Sequence, residues 1–563
     1  MTDLPLSALP AETSGALLMD HCRAFARWVK LSGSPEEAES LRYVQARLDE
    51  YGFRTRLILH DAYISLPGRA RVEVDGTTLT AITHSMGRAS PAGGLSAELV
   101  YVGDGTAADF AAADVRGKIV LAEGIATPVV AALARDGGAV GQLHISPHHH
   151  LHEMCISPVW GNPDPHTFAQ LPATTACTVS NLDGSAIRDR LAAGQMPRVV
   201  LHAEVDTGWR KTPILEAELD APGGTAATPF ILFSGHHDTW YYGVMDNGSA
   251  NATMLETARL VASRRAAWKR GLRICFWSGH SHGRYSGSAW YVDNNFDELD
   301  RRCAVHVNVD STGGIGATEL GHAAAMAPLH ALASEAITEQ TGLQYSGKRK
   351  NRSSDESLPG MGVPSMFGGL SEQPPTKLKL RNALGWWWHT PEDLIDKVDE
   401  TNLVRDTKVF VHVVTKLLTD AVLPLNFAAQ TQTLRAELAR LAAALGDRFN
   451  LAPLMAATEA LQTAIEHLGD RAASLDAATV DATLMALSRA LVAMDYASSD
   501  RFAHDPALPV PDWAVLQPLR DLAATTPGTD AAFMHSVSAR RAANRLTYAL
   551  RSAMTALDAT LKG

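Results

Sequence analysis

The stretch that decides the fold is GHHDTWYYGVMDNG, residues 235–248. Residues 230–233 before it are apolar enough for a buried strand, and residues 249–260 after it have the apolar spacing of a helix. A histidine, an aspartate two residues later and a further aspartate therefore lie between the carboxyl end of a strand and a helix. Open α/β sheets bind ligands at that edge, and imidazole and carboxylate groups are ligands of zinc. The stretch predicts a metal site at the edge of a sheet.

The composition limits the class of protein. The chain has 563 residues, 46% of them hydrophobic, and a formal net charge of −11. Such a length suggests about three domains. The absence of a long Lys/Arg run argues against nucleic acid or an anionic membrane surface as the main partner. Residues 1–15 have neither the basic nor the apolar part of a signal peptide, so we expect a cytoplasmic protein. The five widely spaced cysteines form no CxxC pair and predict free thiols.

The pattern of elements predicts an α/β fold with a doubly wound mixed sheet and two further units. Residues 1–62 and 212–424 alternate strands and helices and fit one metal-binding domain. Residues 63–211 contain short β-like runs separated by Gly, Pro and Asp, and we interpret them as an inserted β-rich module. Residues 425–563 are predicted to form a helical bundle, because apolar residues recur at helical spacing in three stripes: Leu434, Leu438, Leu441 and Leu445; Leu454, Leu461, Ile465 and Leu468; and Leu546, Leu550, Met554 and Leu557.

Four motifs occur in a fixed order along the chain. They are GHHDTW with MDNGSA (residues 235–250), FWSGHSHGRYSGSAWYV (276–292), HVNVDSTGG (306–314) and WWWHTPEDLIDKVD (386–399). Together they closely resemble the co-catalytic zinc aminopeptidases of family M28. DVRGKIVL (114–121) is similar to the signature of the protease-associated domain that some members carry as an insertion. In those members a helical dimerisation domain follows, so the resemblance implies a homodimer formed through residues 425–563.

The resemblance implies a set of metal ligands. One zinc ion would be held by His236 and Asp310, a second by His389, and Asp246 would bridge the two. Asp238 matches the carboxylate that orients the first histidine, the usual partner of a metal-bound imidazole. The resemblance also implies a cis peptide bond between Asp246 and the next residue.

The chain departs from the family at two adjacent positions of the second motif. Where the family has Glu-Glu, the first the general base and the second a zinc ligand, this chain has His280 and Ser281. A neutral serine brings no charge to offset a cation. We therefore expect one tightly bound Zn²⁺ and a second ion that is weak, absent or held by His280 or His282. His280 takes the place of the general base, and His282 is a further catalytic candidate.

Other residues are candidates for binding substrate or supporting the site. Aromatic residues beside ligands on two loops predict a flat apolar pocket wall: Trp240, Tyr241, Tyr242 and Trp388. Arg284 and Arg381 are of the kind that holds a substrate carboxylate. Ser354 and Asp355 precede a Gly-Val-Pro segment similar to one in the family, and we interpret them as structural support. The tract containing His148, His149, His150 and His152 is weak compositional evidence for a metal, and a solvated or substrate-facing loop is the simpler interpretation.

These observations favour a metal-dependent hydrolase of an amide or peptide bond. Its substrate would be a small peptide or N-acylated compound with an aromatic or apolar group. One alternative is a catalytically inactive pseudo-peptidase that serves binding or assembly, which the loss of both glutamates favours. Another is non-hydrolytic chemistry, acyl transfer or a lyase step, at a single metal.

Overall fold

The computed structural model describes residues 5–376 and 384–562. Twelve strands lie within these ranges: β1 (Arg54–Val74), β2 (Thr77–Thr83), β3 (Leu95–Ala97), β4 (Leu99–Tyr101), β5 (Ile119–Glu123), β6 (Gly141–Ile145), β7 (Thr175–Val179), β8 (Val199–Leu219), β9 (Phe230–His236), β10 (Gly271–Trp277), β11 (Cys303–Asp310) and β12 (Ser365–Gly369). They form one mixed sheet in the order β12-β11-β9-β10-β8-β1-β2-β7-β6-β5-β4, with β3 paired to β8.

The α-helices of the described residues cover this sheet and extend beyond it. They are α1 (Gly15–Phe25), α2 (Pro35–Glu50), α3 (Ala107–Ala111), α4 (Pro128–Gly137), α5 (Asn181–Ala192), α6 (Ala250–Ala262), α7 (Ser286–Asn294), α8 (Phe296–Arg302), α9 (His330–Thr341), α10 (Glu400–Thr419), α11 (Ala428–Leu445), α12 (Ala452–Arg471), α13 (Ala477–Tyr496), α14 (Gln517–Ala524) and α15 (Asp530–Lys562). The α/β fold with a helical C-terminal region is as predicted.

Two long strands join the inserted module to the rest of the chain. β1 and β8 are each 21 residues long and pair antiparallel from Arg54 opposite Glu218 to Val74 opposite Val199. Pro67 lies at a shift of register inside β1, and the strand continues beyond it to Val74. The predicted domain limits at 62/63 and 211/212 therefore fall within continuous strands, and both units share one sheet.

The parallel strands β9 to β12 place the functional loops next to one another. β9 pairs parallel with both β10 and β11, so that His236 lies opposite Trp277 and Ser234 opposite Asn308. Every residue of β9 and β10 is buried, because helices pack on both faces of a parallel sheet. The loops after these strands consequently open at one edge.

The C-terminal helices pack as the leucine stripes predict. Leu434, Leu461 and Leu546 are fully buried, in the same hydrophobic cluster as strand residues such as Phe233. Among the described helices, α13 alone has the length and apolar composition of a membrane span, with a mean hydropathy of 1.3, and 61% of that window is buried inside the protein. Its surroundings are those of a core helix.

Candidate metal centre

Five polar side chains converge at the carboxyl edge of the sheet. His236 and Asp310 are the last residues of β9 and β11, and His280 lies in the loop that follows β10. Asp246 lies in the turn before α6, and its peptide bond to Asn247 is cis. His389 comes from the loop before α10. Four separate loops thus contribute to one site.

Asp246 lies between two imidazoles. Its Oδ1 is 3.2 Å from Nε2 of His236, and its Oδ2 is 3.1 Å from Nε2 of His389. Asp310 completes the group, with Oδ1 3.5 Å from Nε2 of His236. Each oxygen of Asp246 therefore faces a different histidine, the arrangement that a bridging carboxylate requires.

The residues present fit zinc. Nε2 of His236 and Oδ1 of Asp246 are buried and make no hydrogen bond within the described residues. A buried polar atom without a partner is uncommon and points to an ion or ligand that it would contact. Two imidazoles and two carboxylates are the nitrogen and oxygen donors that Zn²⁺ takes.

Backbone carbonyls fix the tautomers of both histidines. Nδ1 of His236 lies 2.8 Å from the carbonyl oxygen of Asp238, and Nδ1 of His389 lies 2.7 Å from that of Glu153 in the inserted module. A carbonyl only accepts, so each Nδ1 is the donor, and Nε2, which faces Asp246, is the nitrogen left for a metal. Metal-binding histidines are oriented by such contacts.

The ionisation of the carboxylates follows from the same contacts. Burial would raise the pKa of Asp246, but His236 and His389 hold it well below its usual range. Burial would likewise raise the pKa of Asp310, and the His236 imidazole, 3.5 Å away, lowers it instead. Both groups are therefore carboxylates at neutral pH, as a metal requires.

Asp238 holds a loop instead of orienting His236 through its carboxylate. The carboxylate accepts hydrogen bonds from N of Ser281 at 2.9 Å, N of His280 at 3.3 Å and Oγ of Ser32 at 2.6 Å. Its nearest oxygen is 3.9 Å from Nδ1 of His236, beyond hydrogen-bonding distance. The contact predicted for the carboxylate is made by the carbonyl of the same residue.

His280 reaches the centre and has a partner that sequence reasoning treated only as support. Its ring stacks on that of His236, with centroids 3.6 Å apart and planes at 15°. Its Nδ1 lies 2.9 Å from Oδ2 of Asp355, which is fully buried. Ligand-type atoms of His236, His280 and Asp310 all lie within 4.8 Å of one another. The Ser354-Asp355 pair before Gly-Val-Pro marked Asp355 as a residue near the site, but the sequence does not show that its partner is His280.

Ser281 and His282 have different surroundings. Ser281 lines the cavity, and its buried Oγ has no hydrogen-bond partner within the described residues. His282 is fully buried, with Nδ1 2.9 Å from Oγ of Ser32 and its ring 4.4 Å from that of Trp240. His282 thus packs against Ser32 and Trp240 and is not among the residues that line the cavity.

A cavity of about 560 Å³ opens over the centre. Trp240 and Trp388 form part of its wall, whereas Tyr242 is 40% exposed outside it and Tyr241 hydrogen-bonds the side chain of Glu153. Four cationic residues also line the cavity: Arg284, Lys348, Lys350 and Arg352. Sequence reasoning named Arg284 but missed the other three, which lie a few residues before Ser354. Arg381 lies outside the described residues.

Asp393 is a further residue that sequence reasoning missed. Its buried carboxylate accepts hydrogen bonds from N of Met245 at 2.8 Å and N of Asp246 at 3.0 Å. Burial raises the pKa of Asp393 to about 7. The loop that carries His389 therefore also anchors the turn that carries Asp246.

Comparison with known proteins agrees with this geometry. The sequence profile of peptidase family M28 matches residues 219–414. The probable glutamate carboxypeptidase VP8 of Zea mays is 25% identical over 359 residues, 52% of this chain and 50% of that protein. Carboxypeptidase Q of Mus musculus is 23% identical over 46% of this chain and 58% of its own length. The chain thus spans about half the length of the curated relatives it matches.

Solved structures share the fold. The peptidase M28 precursor of Shewanella amazonensis SB2B aligns with a TM-score of 0.58 at 20% identity, over 73% of this chain and 95% of its own. BSAP, a zinc aminopeptidase from Bacillus subtilis, aligns with a TM-score of 0.55 at 18% identity, over 72% and 96%. The family match contains the ligand residues from His236 to His389. Residues 219–414 thus match peptidase family M28, and the solved structures of that family share the fold.

Proposed function

We propose that this protein is a metal-dependent hydrolase of an amide or peptide bond in a small peptide or N-acylated compound. The observation that carries the proposal is the mutual contact of His236, Asp246, Asp310 and His389 at one cavity, which the last three of them line. Nε2 of His236 and Oδ1 of Asp246 make no hydrogen bond within the described residues. A pseudo-peptidase would have no physical reason to keep such buried charge at the edge of a sheet. The peptidase names of the relatives support the same reaction class.

Zinc bound by His236, Asp246 and Asp310 would polarise the scissile carbonyl and lower the pKa of a water molecule toward about 7. His280 is the proton acceptor in this proposal. Because its Nδ1 donates to Asp355, its Nε2 carries a lone pair and can take a proton. The buried carboxylate of Asp355 would stabilise the imidazolium that results, and the proton can then pass to the leaving amine.

The two halves of the centre are unequal in this proposal. The half at His236 has Asp310 and one oxygen of Asp246. Within the described residues the half at His389 has a carboxylate contact only with the other oxygen of Asp246, and we assign the neutral Ser281, which lines the same cavity, to this half from the resemblance to the family. A site with fewer charged ligands binds a divalent cation more weakly. One tightly bound ion and a weak second one follow.

The cationic wall supports a substrate that bears a carboxylate. Nε of Arg284 donates to the carbonyl of Ser157 at 3.2 Å, and Nη1 of Arg352 donates to that of Pro506 at 2.7 Å. Among the described residues neither guanidinium pairs with a carboxylate, so both can hold an anion bidentately. Arg352 also lies 3.7 Å above the ring of Trp160, so an aromatic or apolar group has a surface beside the anion.

A homodimer through the C-terminal helices is also part of the proposal. Phe533, Met534 and Val537 lie within five consecutive residues of α15. Their exposed fractions are 66%, 66% and 53%. Large apolar residues clustered on one face favour association with a second copy. Light scattering should give twice the chain mass, and Phe533→Asp should give the monomer mass.

The experiment that tests the activity is a substrate panel on zinc-loaded protein. N-acyl amino acids and dipeptides with aromatic side chains should be hydrolysed, and aromatic amino-acid amides should be poorer substrates because they lack the carboxylate. His236→Ala should abolish turnover. A protein that binds zinc but hydrolyses none of the panel would favour a pseudo-peptidase over this proposal.

A further inference from the structure

Four histidines outside the catalytic cavity form a second cluster. The segment His148 to His152 follows β6 in the inserted module, and ligand-type ring nitrogens of His148, His149 and His150 all lie within 4.8 Å of one another. Nε2 of His152 is 2.6 Å from Nε2 of His148. Three imidazoles consequently lie together and the fourth, His152, contacts one of them, which the sequence pattern alone did not establish.

His152 is oriented as metal-binding histidines are. Its Nδ1 lies 2.5 Å from the carbonyl oxygen of Trp388. Because that oxygen only accepts, Nδ1 is the donor and Nε2 carries the lone pair, which points at His148. A backbone carbonyl that fixes the tautomer of an imidazole in this way is typical of the surroundings of a metal ligand.

The cluster offers neutral nitrogen donors and a path from solvent. Burial lowers the pKa of His148 to about 4 and that of His152 to about 3, so both are neutral at pH 7. His149 is exposed and His150 half-buried, which leaves one side of the cluster open. A set made only of imidazoles suits zinc, copper and nickel and disfavours calcium and magnesium.

We propose that His148, His149, His150 and His152 bind one Zn²⁺ ion, separate from the catalytic centre. In tetrahedral coordination the ligand nitrogens would be about 3.3 Å apart, as follows from Zn–N distances near 2.0 Å. Binding therefore requires the 2.6 Å contact between His148 and His152 to open, with the proton on Nε2 of His148 moving to Nδ1 of the same ring, which stays neutral. Rotation of the exposed His149 ring brings the third donor inward.

The position of the cluster gives this ion a structural role. The ring of His150 stacks on that of Trp386 at 4.2 Å, and His152 holds the carbonyl of Trp388. The next residue, Glu153, exchanges two hydrogen bonds with His389: its N donates to the His389 carbonyl at 3.1 Å, and its carbonyl accepts from Nδ1 at 2.7 Å. An ion on the histidine cluster would tie the inserted module to the loop that supplies a catalytic ligand.

The test separates the two sites by substitution. Full-length protein carrying His236→Ala and Asp310→Asn is dialysed against Zn²⁺, and we expect it to retain about one equivalent. Adding His149→Ala and His150→Ala should remove that equivalent, whereas adding His166→Ala, at an exposed histidine of the same module, should not. Less than about 0.2 equivalents before the cluster is altered would overturn the proposal.

A second measurement covers the case in which the multiple variant does not fold. His149→Ala with His150→Ala in the otherwise unaltered protein should lower zinc content by one equivalent, and Co²⁺ loading should show a visible absorption band that this variant loses. Unchanged metal content and an unchanged Co²⁺ spectrum would exclude the cluster as a metal site. Neither readout requires catalytic activity, so failure of the proposed hydrolysis would leave this test intact.

Discussion

The two sides of Asp246 differ, although one carboxylate serves both. On one side lie His236, Asp310 and the stacked ring of His280; on the other lies His389, where the resemblance to the family implies the uncharged Ser281 in place of a carboxylate ligand. Both histidines are held by backbone carbonyls in the same way, so geometry is preserved on each side and only charge differs. Two sites that share a ligand can therefore diverge in affinity without any change of fold.

The largest expected effect comes from removing a ligand on the richer side. His236→Ala should abolish tight metal binding and cut turnover about 10³-fold, because the Lewis acid contributes several kcal/mol to transition-state stabilisation. Elemental analysis and steady-state kinetics measure both, with the exposed His467→Ala as the matched control. His389→Ala should leave the tight ion in place. Equal loss of metal in both variants would mean that the two sides are equivalent.

His280→Ala should lower turnover about 10²-fold while metal content stays constant, as expected of a general base. Asp355→Asn should have a smaller effect of about tenfold, since it alters only the partner of Nδ1. The pH dependence of kcat/KM should lose its lower limb in the alanine variant. Loss of the ion together with turnover would instead identify His280 as a ligand of the richer side.

Ser281→Glu should make the two sides more alike. Its Oγ is buried, has no hydrogen-bond partner within the described residues and faces the cavity, so a carboxylate there adds a charge beside His389. We expect a second equivalent of zinc that survives dialysis. Ser281→Gln adds the same bulk without the charge, and this variant should retain as many equivalents of zinc as the unaltered protein. Identical stoichiometry in both variants would show that charge is not what separates the sides.

The smallest expected effect concerns the substrate, not the metal. Arg352→Ala should raise KM about tenfold for an N-acyl amino acid, the size of one lost charge-assisted hydrogen bond. The corresponding amide, which has no carboxylate, should be affected little, and Arg352→Lys should restore part of the loss. Equal changes for acid and amide would show that Arg352 acts through folding of the cavity wall.

The sequence predicted the parts of this molecule that follow from local patterns. The apolar spacing of strand β9 and helix α6 predicts both elements and the loop between them, which carries Asp246. The leucine stripes predict the C-terminal helices in the same way. The predicted domain limit at 62/63 falls inside strand β1, because pairing with β8 carries that strand on to Val74.

Contacts between distant segments were not predictable in this way. Asp355 reaches His280 across 75 residues, and the carbonyl of Glu153 reaches His389 across 236. Such partners are chosen by tertiary packing and leave no spacing signal. Nor does the sequence distinguish the carboxylate of Asp238, which holds the loop at Ser281, from its carbonyl, which orients His236.

The most direct test of the unequal centre is a crystal structure of zinc-loaded protein with anomalous scattering recorded at the zinc edge. We expect a strong anomalous peak in contact with Nε2 of His236 and with Asp310 and Asp246. A weaker peak, or none, is expected between Asp246, Ser281 and His389. Two peaks of equal height on the two sides of Asp246, or none beside His236, would contradict it.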